Sequence, residues 1–321
     1  MATMLDGVAA AASPFLTDVL TGLAQRQKAI PARWFYDHRG SELFEAITRL
    51  PEYYPTRTEI GLLRDCAGGV AAPAGARVVV EFGSGSSRKT PILLKAMDAI
   101  AYVPVDISGD YLRQSAAALA AIMPGLEILP CEGDFMHPVA LPQRISGKPA
   151  LGFFPGSTIG NLAAPRAVAL LQQIGETLGR DALLLIGIDR VKPVPTLITA
   201  YDDAAGVTAA FNLNLLARIN RELDGDIDVG GFRHQARWNA RHNRIEMHLE
   251  AVRAMRFSVA GRCFAMAAGE TIHTENSHKY TPEEARLLLR AGGWTPIESW
   301  TDDNALFGLY LARRTRTSIQ G

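Results

Sequence analysis

The stretch Val78-Val-Val-Glu-Phe-Gly-Ser-Gly-Ser-Ser-Arg-Lys-Thr90 decides the fold. It begins with apolar, mostly β-branched residues, passes through a glycine-rich turn and leads into an apolar helical pattern. This order predicts a buried strand over 78–82 and a helix over 89–97. Gly83 and Gly85 carry no Cβ, so a ligand can approach the backbone where the strand ends, and doubly wound sheets bind ligands at that edge. We therefore expect a nucleoside pocket here, with a plain strand-to-helix turn as the alternative.

Strand and helix patterns continue to alternate after this stretch. Apolar runs predict strands over 102–105, 128–129, 151–154 and 183–188, and helical spacing predicts helices over 111–123 and 166–178. Continuous apolar strands that alternate with helices are typical of a parallel sheet covered by helices on both faces. We therefore predict an α/β fold with this sheet at its centre.

The flanking segments predict a second, smaller α+β lobe. Helical spacing marks 15–23, 41–50 and 196–223, short alternating runs over 232–275 are typical of antiparallel strands, and 306–311 predicts a last strand that completes the main sheet. From these patterns we assign 58–190 and 281–317 to the core, and 1–57 and 191–280 to the lobe.

Two capping-box patterns predict where helices begin. Thr56 stands three residues before Glu59, and Thr281 stands three residues before Glu284, each ahead of an apolar run. The glycine pair at 68–69 predicts the end of the first of these helices.

The composition excludes several functional classes. The chain has 321 residues, which suits about two domains. Its 33 basic and 33 acidic residues give a formal net charge of zero, so no basic excess favours nucleic acid or an anionic membrane. No apolar stretch approaches the roughly 20 residues that span a bilayer, and no basic residue of a secretory signal precedes Arg26. We expect a cytoplasmic monomer that binds neither nucleic acid nor membrane.

The cysteines and histidines indicate neither disulfides nor a metal. Cys66, Cys131 and Cys263 are an odd number of widely spaced residues, so we interpret them as reduced thiols. The seven histidines show no H-x-x-x-H or comparable ligand spacing. We therefore assign no metal.

The residues around the glycine-rich turn distinguish between two nucleotide ligands. A dinucleotide site needs a third glycine where this chain has Arg88, which argues against NAD. Asp106 ends the next strand, where its carboxylate can accept both hydroxyls of a ribose. Glu81 adds an acidic group that suits a cationic ligand. S-adenosylmethionine (SAM) carries both a ribose and a positive charge.

A further pair of residues follows the third strand. Asp134 offers an acceptor for an adenine amino group, and Phe135 places an aromatic ring beside it. Alone, Asp134 is better explained as a turn residue. Because candidate residues occur at three successive strand ends, an adenosine pocket becomes the better explanation.

Seven stretches also carry a resemblance to a known family: Trp34–Asp37, Leu50–Glu59, Glu81–Thr90, Gly156–Leu162, Tyr201–Asn212, Arg244–Met247 and Thr274–Ser277. In these stretches the sequence resembles the SAM-dependent histidine Nα-methyltransferases of ergothioneine biosynthesis. The resemblance spans both the core and the lobe, and it implies a Rossmann-like class I methyltransferase sheet beside a substrate-binding lobe.

The resemblance also implies a role for each matching residue. The SAM-binding residues are Gly83, Lys89, Asp106, Asp134 and Phe135. The substrate-binding residues are Gly156, with Asn161 and Tyr201 for the α-carboxylate, Tyr53, Glu275 and Ser277 for the imidazole, and Met247 and Phe44 as pocket walls. Tyr36 is placed near the amine as the catalytic candidate.

The expected reaction is an in-line displacement. The neutral α-amine attacks the sulfonium methyl group, S-adenosylhomocysteine (SAH) leaves, and up to three rounds give trimethylhistidine (hercynine). Glu275 and Ser277 fall on one face of an alternating strand and suit the two imidazole nitrogens. No dedicated general base can be identified. Two alternatives stay open at this point: methylation of another amino acid such as tryptophan, and a non-catalytic SAM sensor.

Overall fold

The computed structural model describes residues 13–75, 77–85 and 89–315. Its helices are α1 (Pro14–Leu23), α2 (His38–Ile47), α3 (Tyr54–Ala74), α4 (Thr90–Ala96), α5 (Gly109–Ile122), α6 (Ala164–Leu178), α7 (Val194–Tyr201), α8 (Val207–Glu222) and α9 (Pro282–Ala291). Its strands are β1 (Lys28–Ala29), β2 (Val78–Phe82), β3 (Ala101–Asp106), β4 (Glu127–Ile128), β5 (Cys131–Glu132), β6 (Ala150–Phe154), β7 (Leu183–Asp189), β8 (Phe232–Asn239), β9 (Arg244–Ala251), β10 (Met255–Val259), β11 (Arg262–Met266), β12 (Thr271–His278), β13 (Trp294–Thr301) and β14 (Phe307–Arg314). The predictions for Arg88, for residues 1–12 and for residues 316–317 of the core range lie outside the described residues. Among the described helices, none has the length and apolar character to cross a membrane.

The main sheet has the order β13-β14-β7-β6-β2-β3-β4, with β5 also beside β3. The strands from β4 to β7 pair in parallel, whereas β14 and β13 run antiparallel at one edge. From β2 the chain first builds outward through β3 and β4, then returns to place β6 on the opposite side. The strand order therefore reverses between β2 and β6, and such a reversal opens a ligand crevice at the carboxyl ends of the strands.

Helices cover both faces of this sheet, so the predicted α/β fold is confirmed. Val78 and Val80 of β2 belong to one apolar cluster with Leu170 of α6. Val79, which points to the other face, belongs to a second cluster with Leu63 of α3. All five residues of β2 are buried, as expected for a central parallel strand.

A second sheet has the order β1-β12-β9-β8 and carries α7 and α8 on its apolar face. Strand β12 bulges between His273 and Glu275. Just beyond its end, the backbone N–H of Tyr280 donates to the carbonyl of Asp189, 3.0 Å away, at the end of β7. The small sheet thus meets the main sheet at its carboxyl edge. The residue ranges that we assigned to core and lobe stay a prediction.

The first predicted capping box is wrong. Helix α3 begins at Tyr54, before Thr56, and runs through the glycine pair at 68–69 to Ala74, where Gly75 caps it with a φ of +51°. Glu59 does not cap the helix. Its carboxylate is fully buried and accepts hydrogen bonds from Lys89 and from the N–H of Gly156, in two turns of the main sheet. The second capping box, Thr281 with Glu284, is confirmed.

One further prediction needs correction, and one strand was missed. The helical segment predicted over 196–223 is divided into α7 and α8, because the Asp203 carboxylate accepts hydrogen bonds from the N–H groups of Val207 and Thr208 and starts a new helix. Strand β13 was not predicted. It lies at the edge of the sheet, where mostly exposed residues leave no continuous apolar run.

Candidate functional site

The residues predicted to bind SAM line a single cleft of about 820 Å³ at the carboxyl edge of the main sheet. They come from the ends of β2, β3 and β5 and the turns that follow, all on the β2 side of the strand reversal. The five are Gly83, Lys89, Asp106, Asp134 and Phe135. Their proximity follows from parallel topology, which brings the ends of successive strands to one edge.

Asp106 is held in place by backbone hydrogen bonds from the glycine-rich turn and from its own turn. The N–H of Gly85 donates to Oδ2 of Asp106 at 2.9 Å, and the N–H of Ser108 donates to Oδ1 at 2.9 Å. Each carboxylate oxygen keeps a second acceptor position. Asp106 can therefore accept two further hydrogen bonds from a vicinal diol.

Gly83 and Phe135 form the narrow part of the cleft. Gly83 has a φ of +72°, and a Cβ there would lie 3.3 Å from Cε1 of Phe135. The Phe135 ring packs edge-to-face on Phe154, with centroids 5.6 Å apart. Asp134 accepts the N–H of Met136 at 2.9 Å, which fixes its carboxylate beside the ring. The glycine backbone, the ring and the adjacent acceptor suit an adenine.

Lys89 is paired with Glu59, a residue whose role the sequence did not reveal. The Lys89 ammonium donates to a carboxylate that is fully buried, and the same carboxylate accepts the N–H of Gly156, 3.0 Å from each oxygen. Glu59 thus joins the turn after β2 to the turn after β6. The only sequence signal was an acid within the Leu50–Glu59 motif.

Glu81 lies beneath the glycine-rich turn, and two hydroxyls donate to Oε2 of its carboxylate. The hydroxyls of Thr90 and Tyr102 donate to it at 2.6 and 2.5 Å. Burial raises the pKa of Glu81 to about 7, with these hydrogen bonds and Lys89 acting against it. Through these contacts Glu81 stabilises the turn. That Glu81 faces a cationic ligand stays a prediction.

The eight residues predicted to bind substrate and the catalytic candidate Tyr36 surround a smaller recess of about 50 Å³. All nine line it: Tyr36, Phe44, Tyr53, Gly156, Asn161, Tyr201, Met247, Glu275 and Ser277. The sequence did not single out Ile47, Ser157, Thr158, Ala200, Thr208 and Phe211, which also line it. Four of those six, Ser157, Thr158, Thr208 and Phe211, lie inside the quoted motifs, which were the available signal.

Aromatic rings form one wall of the recess. The Tyr36 ring lies 5.7 Å from Phe44 and 5.8 Å from Phe211, and Tyr53 lies 6.2 Å from Tyr201, each pair edge-to-face. Burial and the nearby Glu275 raise the pKa of Tyr36 well above its usual value. Tyr36 is therefore a phenol near neutral pH, able to accept a hydrogen bond from an amine but not to begin the reaction as a base.

Polar groups also line the recess. The hydroxyls of Tyr201 and Ser277 are 2.7 Å apart and hydrogen-bonded. Burial raises the pKa of Glu275 to about 7, opposed by the charge of Lys279 and by a hydrogen bond with Asn161. Near neutral pH Glu275 can thus be either a carboxylate acceptor or a carboxylic acid donor, and both forms can bind an imidazole.

The cleft and the recess open into each other. Tyr36, Tyr53, Asn161 and Glu275 line both cavities. Asp106 and Glu275 therefore face one continuous space, and a ligand in the cleft can meet a ligand in the recess.

Comparison with known proteins agrees with this arrangement. Residues 15–314 match the family described as "Histidine-specific methyltransferase, SAM-dependent". The chain belongs to this family. The methyltransferase is 46% identical to the histidine N-alpha-methyltransferase of Mycolicibacterium smegmatis over 95% of this chain and 96% of that protein. It is 45% identical to the protein of the same name from Mycobacterium tuberculosis, over 92% and 94% of the two chains. The Ergothioneine biosynthesis protein 1 of Neurospora crassa is 30% identical over 91% of this chain and 34% of its own length.

The sequence did not predict one group of possible metal ligands that lies among the described residues of the methyltransferase. Glu246 and His248 on β9 and His273 on β12 bring their ligand atoms within 4.8 Å of one another across two strands, so sequence spacing does not reveal them. Arg244 already pairs with Glu246 at 2.5 Å. The two imidazoles stack at 15°, so their in-plane lone pairs do not converge on one point. We assign no metal to this group.

Proposed function

We propose that this methyltransferase transfers methyl groups from SAM to the α-amino nitrogen of free L-histidine, giving trimethylhistidine (hercynine) in the first step of ergothioneine biosynthesis. The observation that carries the proposal is the shared opening between the cleft with Asp106 and the recess with Glu275. The names of the relatives that match over nearly the whole chain support it.

In this proposal the cleft residues bind and orient the methyl donor. Asp106 accepts the two ribose hydroxyls, Gly83 and Phe135 enclose the adenine, and Asp134 accepts its amino group. Lys89, held by Glu59, fixes the turn that borders the shared opening. When bound, SAM supplies an electrophilic methyl group on a sulfonium. The exposed glycine backbone and the two free acceptor positions on Asp106 fit this donor.

The recess residues then present the amino acid. Asn161 and Tyr201 bind the α-carboxylate, while Glu275 and Ser277 bind the imidazole nitrogens. With both ends held, the α-amine faces the opening among Tyr36, Phe44 and Phe211. A site built on polar pairs rejects analogues that leave those groups unpaired, by roughly 10⁴-fold or more in good cases. This arrangement accounts for selection of histidine over other amino acids.

Catalysis in this proposal comes from positioning rather than from a protein base. The attacking amine must be neutral, so in this proposal the ammonium loses its proton to water before each round. Tyr36 is a phenol that can accept one amine hydrogen bond and so direct the lone pair. Orientation of two bound reactants contributes on the order of 7–11 kcal/mol at best. No covalent intermediate with the protein is needed.

The test is a competition among free amino acids. The protein is incubated with SAM and an equimolar mixture of the twenty amino acids, and the products are identified by mass spectrometry. We expect mono-, di- and trimethylhistidine to form, with trimethylhistidine accumulating. Preferential methylation of tryptophan or another amino acid would assign a different substrate, and SAH binding without any methyl transfer would indicate a sensor. Sedimentation of the same sample tests the prediction that the protein is a monomer.

A further inference from the structure

Strand β12 carries one extra residue, Thr274, immediately before Glu275. His273 pairs with His248 of β9 and Glu275 pairs with Met247, so Thr274 has no partner in the ladder. An extra residue reverses the face of the sheet to which the following side chains point. Met247 lines the recess, and residues directly opposite each other share a face. The bulge therefore turns Glu275 into the recess, whereas an unbroken ladder would put Thr274 opposite Met247 and Glu275 on the other face.

Buried side chains hold this bulge in place. The Thr274 hydroxyl donates to Oδ1 of Asn212 on α8 at 2.8 Å and lies 3.1 Å from the carbonyl oxygen of Met247. Nδ2 of Asn212 donates to the carbonyl of His248 at 3.1 Å. Asn212 has no exposed surface, and Thr274 is 2% exposed. The bulged residue is thus tied to α8 and β9 by hydrogen bonds that water does not reach.

A third buried side chain, His234 on β8, extends these bonds to the end of α7. Nδ1 of His234 lies 2.8 Å from Nδ2 of Asn212, and Nε2 lies 2.8 Å from the carbonyl oxygen of Tyr201. Because the carbonyl of His248 can only accept, it faces the amino group of Asn212, and Nδ1 of His234 accepts the second N–H of that group. Nε2 then carries the ring hydrogen and donates to Tyr201. Burial lowers the pKa of His234, in agreement with this neutral ring.

The polar triad formed by Thr274, Asn212 and His234 joins the two ends of the predicted substrate site. One end of the triad binds the backbone of Tyr201, the predicted ligand of the carboxylate. The other end is the residue before Glu275, the predicted ligand of the imidazole. None of the three side chains lines the recess, so the triad can act on a substrate only through the residues that it holds.

We propose that Thr274, Asn212 and His234 are positioning residues of the substrate site: they fix the β12 bulge so that Glu275 faces the imidazole of histidine at a set distance from Tyr201. This inference rests on the proposed function. The extra residue of a bulge has no partner in the ladder, so its position must be specified by other contacts. The triad supplies them.

The test removes one hydroxyl at the bulge. KM and kcat for L-histidine are measured at saturating SAM for the wild type, Thr274→Val, Thr274→Ser and Thr271→Val. SAH affinity is measured by calorimetry and the free energy of unfolding in urea for the same proteins. Thr271→Val is the matched control, because Thr271 lies on the same strand before the bulge, is also buried, and bonds through its hydroxyl to Nδ1 of His248 at 3.1 Å. Thr274→Ser keeps the hydroxyl.

We expect Thr274→Val to raise the KM for histidine by about 10- to 100-fold, because Glu275 is no longer held toward the imidazole and its hydrogen bond to the substrate is lost. The kcat should change far less, and SAH affinity should stay within about twofold, because the glycine-rich turn and Asp106 are untouched. Thr274→Ser and Thr271→Val should keep the KM within about threefold of the wild type. A merely structural role for Thr274 would lower the free energy of unfolding in both Val variants and leave the KM unchanged well below the unfolding midpoint.

Two outcomes separate the failures. If the wild type methylates histidine and the KM of Thr274→Val matches that of Thr271→Val, the inference is overturned and the proposed function stands. If the wild type transfers no methyl group to histidine, the proposed function fails and the inference fails with it.

His234→Gln serves if Thr274→Val does not fold. Its amide keeps an N–H donor for the carbonyl of Tyr201 and removes the ring nitrogen that accepts from Asn212. The KM for histidine should rise by about 3- to 30-fold, and an unchanged KM would also overturn the inference.

Discussion

Replacing Glu59 by Ala should destabilise the protein far more than removal of a surface ion pair. The Glu59 carboxylate is fully buried, pairs with the Lys89 ammonium and accepts the N–H of Gly156. Alanine leaves both donors without their acceptor. Because the two donors sit on different turns, the substitution also loosens the edge of the sheet where the cleft and the recess meet.

The size of the effect follows from these contacts. Loss of one partner of a buried ion pair costs about 3–5 kcal/mol, and an unpaired N–H costs about 1–3 kcal/mol. The Lys89 side chain is 16% exposed and borders the cleft, so water partly solvates its ammonium group when Glu59 is removed. We therefore expect Glu59→Ala to lower the free energy of unfolding by about 3 kcal/mol. Glu59→Gln keeps an acceptor for Gly156 and should cost about half as much.

The assay is equilibrium urea unfolding followed by both tryptophan fluorescence and circular dichroism. Arg77→Ala is the control because the Arg77–Asp98 ion pair is largely exposed and should contribute under about 1 kcal/mol. If Glu59→Ala unfolds at the same urea concentration as Arg77→Ala, the inferred role of Glu59 in joining the two turns is wrong.

Three further predictions concern the cleft and the recess. Asp106→Ala should weaken SAH binding by roughly 10- to 150-fold in calorimetry, because two hydrogen bonds to a charged acceptor are lost, and unaltered affinity would contradict the ribose assignment. Glu275→Ala should lower turnover of histidine by about 100-fold or more while SAH affinity stays within twofold, and unchanged turnover would remove Glu275 from the substrate site. Glu275→Gln should stabilise the protein at pH 8, since burial raises the pKa of Glu275 to about 7 and its ionisation in the fold is therefore unfavourable. The gain, about 1–3 kcal/mol, should vanish as the pH falls below about 4.5, where the carboxyl is protonated in both folded and unfolded chains, and a gain independent of pH would refute the shift.

The sequence revealed those parts of the site that depend on short stretches of chain. The strand over 78–82 and its glycine-rich turn are local, and Asp106 and Asp134 follow neighbouring strands, so parallel topology places them together. The recess was predicted in a different way, because its residues come from α2, α7, β9, β12 and several loops, and only the resemblance to a family related them to one another.

Contacts between distant segments could not be predicted. Glu59 has the spacing of a capping box, and nothing near it in the chain indicates that its partners are Lys89 and Gly156. Lys279 meets Asp189 only because the small sheet ends at the edge of the main one. In each case the signal is a buried charge, and burial depends on the tertiary fold.

The most direct test of the account is the position of the transferred methyl groups. Histidine is incubated with the protein and SAM that carries a trideuterated methyl group, and the product is fragmented in the mass spectrometer. If the recess holds the carboxylate and the imidazole while the amine faces the cleft, all label will lie on the α-nitrogen. Label on an imidazole nitrogen would mean that the amino acid lies in the recess the other way round, and the account would be contradicted.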